Sequence, residues 1–372
     1  MQDFLILFPM IITLVFADLM YFLLPTLSRK TLSFGVTVPE SLYNDPILIK
    51  MRHTYRKLIL FCLVPFLVSI TLVFYFRFNG LLAELVPVGL ILFNLLVNSA
   101  IFLLYYHKMR KLKSEKQWIK GDSQLIAVET SFRKQRLLVS PWWFSLYILI
   151  ILVSVLASII LYDNIPDKLG MRISSIGETN VWVDKSWKSL AFIPSTQLFL
   201  TLVFGFAYSM LNKSRLQIDP ANREKTLQQN IISRFRWSVF LMTTGCLLLM
   251  ATSLTQFSMM GFIAHKLAFI ATLIIYATIL ISVVTISLLN GQSGSRIQIH
   301  RNKSNEPIVR DDDKYWKLGM FYYNPDDSGL FIEKRMSIGW TINWGRPMAW
   351  VVFFGLILVI LGFSWLSSFL VK

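Results

Sequence analysis

Histidines and carboxylates are the side chains of this chain that could do metal or acid–base chemistry. His53, His107, His265 and His300 lack the i, i+4 partner and acidic neighbour of a zinc-hydrolase helix, and the chain has no H-E-x-x-H motif, nucleophile elbow or phosphate-binding loop. The acids at 311–313 are consecutive, unlike the alternating acids of a calcium loop. The sequence therefore predicts a protein that is not an enzyme and needs no metal or cofactor.

Two further acids, Asp18 and Glu84, lie inside long apolar blocks. An ionisable group within a bilayer is costly, so it marks a functional site, a buried pair or a contact with the interface. For Asp18, proton or cation handling and a single structural hydrogen bond are both open. For Glu84, which lies near the end of its block, the structural role is favoured. Both residues are candidate functional residues.

The composition indicates a membrane protein. Hydrophobic residues make up 55% of the 372 residues and charged residues only 16%, against about 25% charged residues in soluble domains. In such a chain a net charge of +16 indicates basic loops that face anionic lipid, rather than direct binding of nucleic acid. We therefore expect an all-α polytopic membrane protein whose main partner is the lipid bilayer.

Eight apolar blocks are long enough to cross the hydrocarbon core, which takes roughly 20 helical residues. The predicted spans are 4–24, 58–76, 81–106, 143–162, 190–211, 238–260, 267–289 and 348–370. The loops after spans 1, 3, 5 and 7 hold 30 of the 37 Lys and Arg residues. The positive-inside rule places these loops in the cytoplasm. We predict a multi-pass plasma-membrane protein with both termini extracellular.

The two halves of the chain share a pattern. Basic segments before spans 2 and 6 begin with Asp45-Pro46 and Asp219-Pro220, a helix N-cap followed by the first helical residue. The loops before spans 4 and 8 contain "DSQL" and "DSGL" and end at a proline before the span. We interpret this as a 4+4 parallel internal repeat; the alternative is chance recurrence of hairpins and basic loops.

This interpretation divides the chain into two units and a connecting loop. The first four-span unit is 1–162, with cytoplasmic loops 25–57 and 107–142. An extracellular loop, 163–189, leads to the second unit, 190–372, which contains the cytoplasmic segment 311–350.

The segment 311–350 is the longest polar passage of the chain. Apolar and polar residues alternate along "IGWTINWG", which is typical of a strand with one buried face. We expect small cytoplasmic β-ribbons before spans 4 and 8. The second ribbon would offer a docking face for a cytoplasmic regulator, with these candidate residues: Trp316, Asn324, Lys334, Arg335, Trp340, Asn343, Trp344 and Arg346.

The outer loop resembles a domain of unknown function, DUF1648, through "IPDKLG" and "GETNVWVDK". DUF1648 occurs in Gram-positive membrane proteins that include the Sdp toxin immunity protein. The candidate functional residues that match it are Pro166, Gly177, Glu178, Asn180, Trp182 and Lys185. The resemblance implies a role in immunity or signalling, and an extracellular antimicrobial peptide or toxin as a partner. Our reading of the residues themselves leaves open a structured loop that caps the bundle.

The segment 311–350 resembles a second domain of unknown function, DUF5808, through "YWKLGMFYYNPDD", "SIGWTIN" and "GRPMAW". Neither family implies a known reaction. We therefore expect a non-catalytic protein of the cell envelope that acts in immunity, sensing or signalling. The alternative is a transporter or a transporter subunit with a polar cavity between the two repeats.

Overall fold

Long apolar helices form most of the protein. The computed structural model describes residues 2–76, 81–118, 137–173, 179–216, 218–219, 222–299, 311–336 and 338–371. Within these ranges eight helices are long and apolar enough to cross a membrane, as the sequence predicts for a multi-pass membrane protein. They are α1 Gln2–Leu27, α2 Pro46–Tyr75, α3 Leu81–Lys116, α4 Phe144–Ile160, α6 Phe192–Lys213, α7 Arg223–Met259, α8 His265–Asn290 and α9 Pro347–Val371, and a short helix α5, Trp187–Leu190, precedes α6.

The start of α2 follows its sequence signal, whereas the start of α7 does not. Asp45 Oδ1 accepts a hydrogen bond from the Ile47 backbone N–H at 2.7 Å, as expected for a cap at a helix that begins with Pro46. α7 instead begins at Arg223, and Asn222 precedes it. The carboxylate of Asp219 accepts from the Asn222 amide at 2.8 Å, so this acid holds the residue before the helix.

The helices pack in two groups. α1, α2 and α3 contact one another, and α7 packs against α4, α6 and α8. α4 also contacts α6, so its main contacts cross the predicted boundary at 163–189. α1 meets α8, which joins the two groups, and α9 lies against α5 and α6. The 4+4 repeat and the domain boundaries stay predictions.

Four antiparallel pairs of short strands lie in the loops that the structure describes. The outer pair is the longest, with β3 Lys168–Ile173 against β4 Thr179–Asp184. The remaining pairs are β1 Leu32–Ser33 with β2 Val36–Thr37, β5 Trp316–Lys317 with β6 Phe321–Tyr322, and β7 Phe331–Glu333 with β8 Trp340–Ile342. The ribbon predicted before span 4 falls largely in residues 119–136, outside the described ranges, so the pair of ribbons stays a prediction.

The loop after α1 and the C-terminal ends of α3 and α8 lie with residues 311–336 and 338–346 at one end of the helices, which we call the basic face. Here the rings of Phe34, Tyr55 and Tyr105 cluster with centroids 5.2 to 5.3 Å apart. Gly35 has a φ of +78°, and a Cβ on it would lie 3.0 Å from Gly319 Cα. This close approach of two glycine turns lets the β1–β2 hairpin rest on the β5–β6 hairpin.

Candidate functional site

Arg335 lies at the centre of a buried ion-pair cluster on the basic face. It follows β7 and is 4% exposed. Its guanidinium pairs with the carboxylates of Asp312 and Asp313 and donates to the Gly35 carbonyl at 3.0 Å. The same group lies 5.2 Å from the centroid of the Trp316 ring. Burial lowers the pKa of Arg335, but the two carboxylates outweigh burial and raise it, so the residue stays charged.

Asp313 connects this arginine to two other parts of the chain. Its carboxylate accepts from Lys113 Nζ at 2.6 Å, near the end of α3, and from Thr37 Oγ1 at 2.7 Å in β2. Lys113 also pairs with Asp311 at 2.6 Å. Burial alone would raise the pKa of Asp313, but the charge of Arg335 and the hydrogen bonds from Lys113, Arg335 and Thr37 lower it overall.

Glu333, in β7, forms the second half of the cluster. It is 4% exposed and accepts from Arg29 Nη2 at 2.5 Å, just after α1. The Arg29 backbone N–H donates to Gln292 Oε1 at 3.0 Å, and the Gln292 amide donates to the Lys334 carbonyl. Burial raises the pKa of Glu333, and the charges of Arg29 and Arg234 oppose that rise.

Arg234 faces Glu333 from α7 and is 3% exposed. Its guanidinium donates to the carbonyls of Leu211, Ser214 and Arg215 at 2.9 to 3.2 Å. These carbonyls lie at the end of α6, where a cation also offsets the partial negative charge of the helix end. The ion-pair cluster therefore links groups at the ends of α1, α3, α6 and α8 with one side chain of α7.

Asn343 orders the polar turn that follows β6. It is fully buried, and its amide donates to the carbonyls of Asn324, Asp327 and Gly329 at 2.8 to 3.2 Å. Its Oδ1 accepts from the backbone N–H groups of Asn324 and Gly345 at 3.0 and 3.1 Å. One side chain thus bonds four backbone groups of the turn and the N–H of Gly345, which explains why an amide occupies this position.

The turn is also anchored by Asp327. Its carboxylate accepts from Arg215 Nη1 at 2.8 Å and from the Tyr322 hydroxyl at 2.9 Å, and it accepts the Gly329 N–H at 2.9 Å. Asp327 and the acids at 311–313 therefore do more than shape loops and turns. Several of them are ion-pair partners of cations that lie far away in the chain.

The candidate docking residues fall into two sets. Trp316, Asn324, Arg335 and Asn343 are buried and hold the segment together, so their side chains do not form an exposed face. The residues left at or near the surface are Lys334, Trp340, Trp344 and Arg346. The ring of Trp344 packs at 5.1 Å from that of Trp350 on α9. Docking of a regulator stays a prediction, and this second set is where it would occur.

A cleft of about 400 Å³ lies beside the cluster. Its lining includes Lys113 with its two ion-pair partners, Asp311 and Asp313, and further residues in and just after α3. The lining residues are Arg110, Lys113, Ser114, Gln117, Trp118, Asp311 and Asp313.

At the opposite end of the helices lies the predicted extracellular hairpin of β3 and β4. Lys185 donates to the Ile165 carbonyl at 2.9 Å, and the rings of Tyr162 and Trp187 stack at 4.2 Å. Trp182 is 57% exposed and Pro166 is exposed. Gly177 and Glu178 lie outside the described residues, and Asn180 is described only as a backbone position of β4.

Asp18 and Glu84, the two acids of the apolar blocks, lie in α1 and α3 respectively. Asp18 is 1% exposed in α1, and its Oδ1 accepts from Asn98 Nδ2 of α3 at 3.0 Å. Glu84 is placed in α3 as a backbone position, and its side chain lies outside the described part of the chain.

Comparison with known families gives one match. Residues 325–350 match the model of DUF5808, a family of unknown function. The DUF5808 segment, as we call residues 325–350, contains Asp327, Glu333, Arg335 and Asn343, so it supplies the centre of the cluster. This confirms the resemblance over its C-terminal part. No curated protein and no solved structure matches the chain.

The sequence identifies the segment but not the residues elsewhere in the chain that pair with it. Arg29, Lys113, Arg215, Arg234 and Gln292 were not singled out, because each is one basic or polar residue among many in the loops. A weak signal did exist: "LFIEKRM" places an acid on an apolar strand, where it needs a buried cation.

Proposed function

We propose that this chain is a non-catalytic integral membrane protein of the Gram-positive cell envelope that acts in immunity or sensing. Its outer hairpin would meet an envelope-active peptide or toxin, and the ion-pair cluster would respond on the cytoplasmic side. One observation carries the proposal: ion pairs connect charged side chains at the ends of α1 and α3 with the segment that contains the buried Glu333 and Arg335. A shift of any of these spans changes the spacing of ion pairs that tolerate little displacement.

One helix connects the two ends. α7 has 37 residues and therefore extends about 55 Å. Strand β3 contacts α7 at the outer end, where Met260 packs with Leu169. Arg234 of the same helix faces Glu333 in the cluster. Movement of the hairpin on binding would therefore reach the DUF5808 segment through a rigid element.

Two further arguments support this proposal. The outer loop resembles DUF1648 of the Sdp immunity protein, which suggests an extracellular toxin as the partner. The excess of Lys and Arg in its loop predicts that the DUF5808 segment lies in the cytoplasm. There the exposed parts of Lys334, Trp340, Trp344 and Arg346 would contact a regulator.

The test is protection of cells. A Gram-positive host that expresses the chain is challenged with a panel of membrane-active peptides, and growth is compared with that of the empty host. We expect protection against at least one peptide, and loss of that protection in Trp182→Ala, because Trp182 is an exposed aromatic of the hairpin.

The matched control is Trp142→Ala. Trp142 is 82% exposed but lies just before α4, at the basic face, so its loss should leave protection intact. Equal sensitivity with and without the chain, for every peptide, would remove the immunity role. Loss of protection in both variants would instead remove the hairpin as the sensing element.

A transporter is the second candidate, because Asp18 is buried with Asn94 and Asn98 between α1 and α3. α2 continues through Pro65 and α3 through Pro87, so neither helix has at its proline the break that many transporters use at a substrate site. Purified chain in proteoliposomes would be tested for proton-driven uptake of candidate solutes. A solute flux that Asp18→Asn abolishes would favour this function over sensing.

A further inference from the structure

The polar group around Asp18 is the most unusual feature of the membrane-spanning part. Asn98 Nδ2 donates both to Asp18 Oδ1 at 3.0 Å and to Asn94 Oδ1 at 3.1 Å. Asp18 is 1% exposed, and both asparagines are fully buried. Asp18 lies nine residues before the end of α1, or about 14 Å into the helix. The acid is therefore removed from water and lipid headgroups.

Two buried oxygen atoms of this group lack a donor. Asp18 Oδ2 and Asn98 Oδ1 both have no hydrogen-bond partner. An ionised carboxylate with an unpaired oxygen is strongly disfavoured in an apolar interior, and a second unpaired acceptor adds a further penalty. A single proton on Oδ2 removes the charge and turns an acceptor into a donor. It therefore removes the penalty of the unpaired charge at Asp18 Oδ2.

No basic side chain pairs with Asp18 in the part of the chain that the structure describes. On α2, the groups that sense its charge are the Tyr55 phenol and the Cys62 thiol, and Arg56 lies over the Phe22 ring instead. Among the described side chains of α3, Asn98 contacts Asp18, Asn94 contacts Asn98, and Ser99 contacts Tyr21. The titratable residues of α8, which also contacts α1, are His265, Lys266 and Tyr276. Of these, His265 and Lys266 lie at the opposite end of α8 from the basic face.

We propose that Asp18 is a proton-exchange site within the membrane, a binding site whose ligand is H⁺. At neutral pH the carboxyl carries its proton on Oδ2, which donates towards Asn98 Oδ1. Release breaks the O–H bond and transfers the proton to water, which becomes hydronium, and leaves the carboxylate with both electrons. In the charged form the Asn98 amide donates at 3.0 Å and the Asn94 amide is a weaker second donor, so this form favours a wetter arrangement of α1 and α3.

Hydroxyl groups lead from the site towards the basic face. The Tyr21 and Ser99 hydroxyls are 2.8 Å apart. Tyr21 lies three residues after Asp18 in α1, and Ser99 directly follows Asn98 in α3. The Tyr55 hydroxyl donates to the Tyr21 carbonyl at 3.1 Å. These hydroxyls make the side of the site towards the basic face polar. The inference does not depend on the proposed sensing role, because it concerns the protonation of a side chain alone.

Infrared spectroscopy of the full chain in lipid nanodiscs tests the proposal. The probe is the carbonyl stretch of a buried, protonated carboxylic acid, recorded at neutral pH with sodium or with choline as the only added cation. We expect a band in both salts that shifts in D₂O and is lost in Asp18→Asn. The control Asp163→Asn removes an exposed acid near the outer end of α4 and should leave the band unchanged.

Two outcomes would overturn the proposal. The first is the absence of any Asp18-dependent band at neutral pH in both salts, which means an ionised carboxylate. The second is a band that appears only when sodium is removed, which makes sodium the ligand instead of the proton.

A stability measurement guards against misfolding of the variant. Asn is a neutral mimic of the protonated acid, so Asp18→Asn should unfold within a few degrees of the wild type below about pH 4, where the acid is protonated in the folded and the unfolded chain alike. Above that pH the unfolded chain releases its proton while folded Asp18 keeps it, so the wild type should lose thermal stability relative to the variant until Asp18 itself ionises. A constant difference at all pH values up to the limit of folding would contradict the exchange of a proton.

Discussion

Arg335 sets the energetics of the cluster at the scale of single residues. It lies between two carboxylates, a carbonyl and an aromatic ring, with 5% of its side chain exposed. A buried pair contributes little net stability relative to apolar packing, but removal of one partner leaves the other charge uncompensated. The cluster is therefore sensitive to loss of any one member.

Substitution of Arg335 tests this sensitivity. We expect Arg335→Met to lower the free energy of unfolding by about 3 kcal/mol, because Asp312 and Asp313 lose their shared cation. Arg335→Lys should recover only part of the loss, since an ammonium cannot hold both carboxylates with a planar fork. Thermal unfolding in detergent would measure both variants.

The control for this prediction is Arg346→Ala. Arg346 lies at the edge of the same segment, and among the described residues its guanidinium donates to the Pro325 carbonyl alone, at 3.4 Å. Its loss should cost no more than about 1 kcal/mol. Equal losses in Arg335→Met and Arg346→Ala would contradict a special role for the buried guanidinium.

Asp313 gives the cluster a pH dependence. Its folded-state pKa lies below the ordinary value of 3.8, so its stabilising contribution is complete above that value and is lost as pH falls through the lower folded pKa. We expect the melting temperature of the wild type to exceed that of Asp313→Asn by a constant amount down to about pH 4 and to approach it below. A gap that stays the same throughout acidification would show that Asp313 is not the group responsible.

At the scale of elements, the packing of α4 on α7 depends on one glycine. Tyr147 of α4 is fully buried, and its hydroxyl donates to the Met242 carbonyl at 2.9 Å. A Cβ on Gly245 of α7 would lie only 1.8 Å from the Tyr147 hydroxyl oxygen. The tyrosine ring therefore occupies the place that any other residue at 245 would need.

Gly245→Ala should separate these helices. We expect a loss of about 1 to 3 kcal/mol in the free energy of unfolding, since overpacking forces the ring to move. Gly205→Ala on α6 is the matched control. No atom lies within 4 Å of the Cβ position at Gly205, so alanine there should be neutral or stabilising by up to about 1 kcal/mol. The same effect in both variants would argue against the Tyr147 contact.

At the scale of the whole molecule, the cluster and the outer hairpin lie at opposite ends of the long helices. The side on which each faces follows from the predicted orientation. The basic residues of the loops after spans 1, 3, 5 and 7 predict a cytoplasmic position for the cluster and an extracellular position for the hairpin. Their placement decides whether the hairpin can meet an extracellular agent.

Cysteine labelling of intact cells tests this orientation. Cys62 and Cys246 are replaced by alanine, and a single cysteine is introduced as Asp163→Cys or Trp142→Cys, at the two ends of α4. We expect a membrane-impermeant maleimide to label the first variant in intact cells and the second only after lysis. The reverse pattern would invert the topology and remove the proposed contact with an extracellular toxin.

The eight long apolar helices and the DUF5808 segment are both recognisable from the amino-acid sequence alone. Helices must satisfy their backbone groups within lipid, so apolar length alone locates them, and the Asp45-Pro46 signal also marks the start of α2. The motifs around Trp340 and Arg346 identified the DUF5808 segment. These features are local, so neighbouring residues in the chain contain the information.

The identity of the ion pairs, by contrast, follows from the tertiary structure and not from the sequence. Arg29 and Glu333 are 304 positions apart, and Lys113 and Asp313 are 200 apart. Many pairings of 37 basic and 21 acidic residues are compatible with the sequence. Burial selects among them, because a charge removed from water must find a partner with good geometry, and that partner is fixed by helix packing rather than by spacing along the chain.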